Sequence, residues 1–124
     1  MAQASITATA TVTLDGQTFN TGGTGLVDVT DITQQTRDVD ETYIRLTSKQ
    51  FAFMTVVNIG DDDVIVRVQV DGGDYIFFGV PPAGHMLIPG HGNNGTIEGT
   101  FNNPSIRSVT SAGSRVFVMI GING

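Results

Sequence analysis

The chain contains no cysteine, which excludes a disulfide framework, a thiolate metal site and a cysteine nucleophile. It has no tryptophan, one lysine (Lys49) and two glutamates (Glu41 and Glu98). Helix surfaces are built largely from Lys, Glu, Gln and Ala, so this scarcity argues against helices. Charged residues make up 15% of the chain, against about 25% in an average domain. Six basic residues, spread singly, face twelve acidic ones, for a net charge of −6. Neutralising a phosphate backbone needs the opposite sign, so no nucleic-acid partner is expected. No apolar run approaches the ~20 residues of a membrane-spanning helix, so no membrane partner is expected either. The segment Met1-Ala2-Gln3-Ala4-Ser5 carries no positive charge and leads into an alternating stretch, unlike a secretory signal.

What is present is threonine, valine and glycine, with 16 glycines in 124 residues. Threonine on a solvent face and valine on a core face suit pleated sheet. At this length about two-thirds of the unfolded surface can be buried, enough for one core without metals or crosslinks. A single domain over residues 1–124 is expected.

The first period is the cleanest. Ile6, Ala8, Ala10, Val12 and Leu14 alternate with Thr7, Thr9, Thr11 and Thr13, as in an extended strand. Asp15-Gly16 signals a tight turn, with residues 17–19 as a short returning partner. Residues 20–25 (NTGGTG) read as a glycine-rich loop, 26–32 as a strand without clean alternation, and 33–40 (TQQTRDVD) as an exposed connection. Residues 43–47 read as a strand. Residues 51–57 are apolar on both faces and read as a central strand. Val64, Val66, Val68 and Val70 alternate with Ile65, Arg67 and Gln69. The turn Asp71-Gly72-Gly73-Asp74 then leads into the aromatic strand 75–80, making a hairpin. Pro81-Pro82 breaks the ladder. Short strands follow at 85–88, 96–101 and 106–109, separated by a loop at 90–95 (GHGNNG) and a turn at Asn102-Asn103-Pro104. The last strand alternates Val116, Val118, Ile120 and Ile122 with Arg115, Phe117 and Met119. About eight to ten short strands with regular turn signals predict an all-β antiparallel sandwich, a jelly roll or a small barrel.

The strand over residues 6–14 has no Lys, Pro or bulge to protect its edges. Either it lies inside its own subunit's sheet, or residues 1–14 form an edge or exchanged strand that pairs with a neighbour.

Candidate chemistry is sparse. His85 and His91 flank Pro89 and, with Glu98 or an aspartate, could be read as a metal site; without regular ligand spacing they read better as loop residues. Asp61-Asp62-Asp63 and the Asp71/Asp74 turn lie at opposite ends of one strand and lack the spaced oxygens of a calcium loop, so turn chemistry accounts for them. Ser105, Ser108, Ser111 and Ser114 have no base at a recognisable spacing. The aromatic run Tyr75-Ile76-Phe77-Phe78 reads as a central strand, or as an edge covered by a neighbouring subunit, ahead of a sugar-stacking groove. No catalytic, cofactor-binding or metal residue is assigned, and no enzyme activity or cofactor is expected.

The stretch FMTVVNIGDDDVIVRVQVDGGDYIFFGVPPAGHMLIPG, from Phe53 to Gly90, resembles small virion structural proteins of tailed bacteriophages. The shared layout is an Asn-x-Gly turn (Asn58-Ile59-Gly60), a hairpin, a Pro-x-Gly segment (Pro82-Ala83-Gly84) and a closing strand over 115–120. The resemblance implies a head decoration (cement) protein, or a small tail or fibre component, made in the host cytoplasm and resident in the virion. It implies a homo-oligomer, a trimer by the three-fold positions such proteins occupy, in contact with the major capsid or tail protein. The alternative is a receptor-binding or carbohydrate-binding β-sandwich module using the segments 20–25 and 90–95.

Overall fold

The computed structural model describes residues 2–93 and 98–123. Among them are eleven strands: β1 (Ala2–Leu14), β2 (Gln17–Val29), β3 (Asp31–Val39), β4 (Ile44–Arg45), β5 (Phe51–Asn58), β6 (Val64–Val70), β7 (Tyr75–Val80), β8 (His85–Pro89), β9 (His91–Asn93), β10 (Glu98–Ser108) and β11 (Ser114–Ile122). All pairings are antiparallel. Sheet I has the order β3-β11-β5-β8, and sheet II the order β4-β10-β6-β7 with β9 added beside β10. From β3 to β11 the chain passes repeatedly between the two sheets. That interleaving is the jelly-roll form of the sandwich. β1 and β2 stand apart as a two-stranded ribbon.

The two sheets bury their facing sides against each other. Val64, Val66 and Val68 of sheet II and Met54, Val56, Val116, Val118 and Ile120 of sheet I are fully buried. Each sits at alternate positions of its strand, so the period-two pattern of the sequence is the core itself. The turn at Asp15-Gly16 has positive φ at both residues (50° and 76°), which suits the two-residue hairpin turn that the Leu14–Gln17 pairing closes.

One buried polar side chain ties the corners together. Asn58 has no exposed surface. Its Nδ2 donates to the carbonyl oxygens of Asp62 (2.7 Å) and Val80 (2.9 Å). Its Oδ1 accepts from the Ser114 hydroxyl (2.7 Å) and the Gly60 amide (3.2 Å). Its backbone N–H donates to Gly84 O and its carbonyl accepts from Ala83 N, both at 2.9 Å. Gly60 is required beside it, because a Cβ there would run into the Ser114 hydroxyl and the Arg115 amide.

Several elements differ from the sequence reading. Residues 20–25 are not a loop; they lie within β2, which pairs with β1 over thirteen residues instead of the short return expected at 17–19. Residues 33–40 are not a connection; β3 pairs with β11 from Asp31 to Val39. It is polar because it is the edge of sheet I, with only Val39 buried. Asn102-Asn103-Pro104 is a bulge within a continuous β10, with Asn103 at φ 50°, not a turn between strands. The strand expected at 43–47 shrinks to Ile44–Arg45. Residues 91–93 of the expected loop at 90–95 form β9, and residues 94–97 lie outside the described residues. Of the two placements the aromatic run allowed, strand β7 takes the edge.

Asn58→Asp will destabilise the fold more than Asn58→Ala. The alanine leaves two carbonyls and two donors without a partner, at a cost of about 2–3 kcal/mol. The aspartate adds repulsion between its second oxygen and those carbonyls. Urea midpoints of the two variants measure the order.

Candidate functional site

The ribbon's two faces differ in chemistry. Directly paired residues share a face, so Ala4, Ile6 and Leu14 of β1 stand on one face with Val27, Phe19 and Gln17 of β2. The opposite face carries Gln3, Ser5 and four threonines of β1, with Leu26 its one large apolar residue. At the root the apolar face turns towards the domain: Val29 is buried and Ala4, Ile6 and Val27 are half-buried, while Gln3, Ser5 and Thr7 are exposed. At the tip, on that same apolar face, Leu14 is 64% exposed and Phe19 51%.

Length explains the contrast. Thirteen residues per strand give a ribbon about 40 Å long, whereas sheet I measures about 30 Å along its longest strand and less across. The ribbon is longer than the sheet, and Leu14 and Phe19 at its tip stay exposed.

Between the ribbon's root and the outer face of sheet I lies an apolar groove of about 490 Å³. Its walls include Ile6, Phe53, Leu87 and Met119. Leu87 and Ile32, on the same face, are each 44% exposed. Ribbon tip and groove are thus two uncovered apolar surfaces on one chain.

The residues weighed in the sequence take other places. His85 begins β8 at the exposed edge of sheet I, on the groove's wall. His91 and Glu98 are paired through their backbones to Thr100 and Asn93, and their side chains lie outside what is described. Among the described residues no cluster of three metal-ligating side chains occurs. Ser108 and Ser114 are buried and donate to Asp62 and Asn58 at turns, and Ser105 donates to Asn103 O within the β10 bulge. Phe77 on edge strand β7 is 60% exposed.

The acidic turn is more than solvated. Asp62 Oδ2 accepts from the Ser108 hydroxyl and from the Thr110 amide and hydroxyl, both at 2.9 Å, pinning the β5–β6 turn to the β10–β11 turn. These donors, Ser108 foremost, hold its pKa below the ordinary 3.8. Asp71 likewise accepts from the Thr100 amide at 3.0 Å.

The sequence reading missed a gathering of cations. Arg45, Arg67 and Arg107 are far apart in the chain, yet strand pairing brings them onto the outer face of sheet II through Ser105↔Arg45, Ser105↔Arg67 and Arg107↔Ile65. Only the register reveals it.

No family model and no curated protein matches the chain. Among solved structures it is similar to the 3,4-ketoisomerase QdtA from Thermoanaerobacterium thermosaccharolyticum, crystallised with TDP-4-keto-6-deoxyglucose. The TM-score is 0.48 and the identity 8%, over 98% of this chain and 80% of that one.

The depressed Asp62 pKa sets a sign. Its stabilising contribution is complete above the unfolded value of 3.8 and is lost as pH falls through the lower folded value. Asp62→Asn will therefore be less stable than the parent at neutral pH, and the gap will close below about pH 4. Urea midpoints across that range give the test.

Proposed function

We propose that the protein is a non-enzymatic structural subunit of a tailed-phage virion, a head decoration protein that assembles as a ring of identical copies. The observation that carries this reading is the amphipathic ribbon, whose tip leaves Leu14 and Phe19 exposed. The tip of one copy, with Leu14 and Phe19, fits the apolar groove under the ribbon root of the next. Such a contact joins two different patches, so it repeats head to tail and must close into a ring or grow into a filament. Closure at three follows the resemblance to phage virion proteins stated from the Phe53–Gly90 stretch. The fold is compatible, since jelly rolls serve in capsid and lectin domains alike, and fold alone assigns neither role. The low charge density fits surfaces destined for burial between subunits.

Two measurements test the proposal. Leu14→Asp with Phe19→Asp changes exposed residues, so the melting temperature stays close to that of the parent, a difference of about 0.5 kcal/mol or less. Light scattering at micromolar concentration should show the parent as an oligomer and the double variant as a smaller species. A monomeric parent removes the ring. Mass spectrometry of purified particles should find the chain in a fixed ratio to the major shell protein. Absence from particles, with binding on a glycan array, would favour the tail-tip or carbohydrate-binding alternative.

A further inference from the structure

The outer face of sheet II holds three of the chain's six basic residues. No outward position of β4, β6, β7 or the part of β10 after its bulge is Asp or Glu. In a chain with twelve acidic residues that segregation is strong. At its centre the Arg67 guanidinium stacks between two tyrosine rings, 3.8 Å from the centroid of Tyr43 and 4.2 Å from that of Tyr75. Arg107 lies 5.2 Å from the Tyr43 ring. Contact with two rings restrains the guanidinium and leaves its hydrogen bonds to the part the rings do not cover. The Arg67 Nε is buried with no acceptor among the described residues. A cation positioned in this way is set to receive a planar oxyanion in a forked geometry, a carboxylate above all. Exposed Phe77 and Tyr75 beside it supply apolar contact area.

The complementary surface is on the same chain. A groove of about 700 Å³ at one end of the sandwich is lined by Asp38, Asp40, Asp61 and Asp62, with Arg37 as its only cation. Asp62 is engaged by Ser108 and Thr110, and Asp38 pairs loosely with Arg115 at 3.7 Å. Asp40 accepts from the Thr42 amide at 2.8 Å, and neither Asp40 nor Asp61 has a cation partner among the described residues. Both are exposed.

We infer that the Arg45–Arg67–Arg107 face docks on the acidic groove of a second copy of this chain, with the stacked Arg67 and its neighbours receiving the Asp40 and Asp61 carboxylates. The contact is again between unlike patches, and it is independent of the ribbon. Each carboxylate delivered to a cation that otherwise has none relieves repulsion among the acidic residues of the groove. The register of the docking follows from the restrained guanidinium.

The experiment is sedimentation velocity of the full chain carrying Leu14→Asp and Phe19→Asp, so that the ribbon contact is absent and the two proposals fail separately. Self-association in this background should weaken by about tenfold or more between ~50 and ~500 mM salt, as for charge pairing. Arg67→Gln, Arg107→Glu and Asp61→Arg, each added singly, should weaken association at low salt by a similar factor. An equimolar mixture of the Arg107→Glu and Asp61→Arg proteins should recover a dimer, since each retains the patch the other has lost. Circular dichroism melts check that each variant folds. The inference is overturned if association ignores salt, if the reversals have no effect, or if the mixture stays monomeric. It is overturned equally if heparin or a carboxylated glycan binds the face while self-association is indifferent to all three substitutions.

Discussion

Asn58 is the joint on which the sandwich turns. Six hydrogen bonds, four from its side chain and two from its backbone, link the end of β5, the β5–β6 turn, the end of β7, the segment before β8 and the start of β11. These are the places where the chain crosses between sheets I and II. A sandwich of valines alone fixes no register between its layers, since any apolar side chain fits opposite any other. A buried amide whose two donors and two lone pairs are all engaged tolerates one arrangement. Asp62 repeats the device at the surface of the same corner, joining two turns through Ser108 and Thr110.

With the corner fixed, the two outer faces have fixed chemistry. Sheet I turns Phe53, Thr55, Leu87 and Met119 outward, an apolar floor under the ribbon. Sheet II turns Arg67, Gln69, Tyr75 and Phe77 outward, a cationic and aromatic face. Moving either strand by one residue would exchange core for surface along its length. The Asn58 network therefore determines function indirectly, by deciding which side chains the outer faces present.

Legibility in the sequence followed the source of each element's stability. Strands 64–70 and 75–80 and the closing strand were readable because their own side chains form the core and so carry the alternation. Residues 20–25 and 33–40 were misread because they are held by backbone pairing to β1 and β11, and their side chains, being glycine, threonine and glutamine, record none of it. The regular alternation at 6–14 marks a strand, and on its apolar face Ile6 is half-buried against the domain while Leu14 is exposed. Alternation reports what a strand prefers to bury, not how much of it its own domain covers. The cationic face was invisible for a different reason. Arg45, Arg67 and Arg107 become neighbours only through two strand registers, and one passes a bulge that the sequence shows merely as Asn-Asn-Pro.

The two proposed contacts rest on different physics. A contact through the ribbon tip would bury apolar area, which is non-directional and tolerates sliding along a Thr- and Ala-rich strand. Charge pairing between the arginine face and the acidic groove, as proposed, would add modest affinity but strong orientation, because a misplaced carboxylate meets no cation and a misplaced arginine no acceptor. Salt moves the two in opposite directions, screening the charges while leaving or strengthening the apolar burial. Because the two proposed contacts are independent, salt separates them in an association experiment.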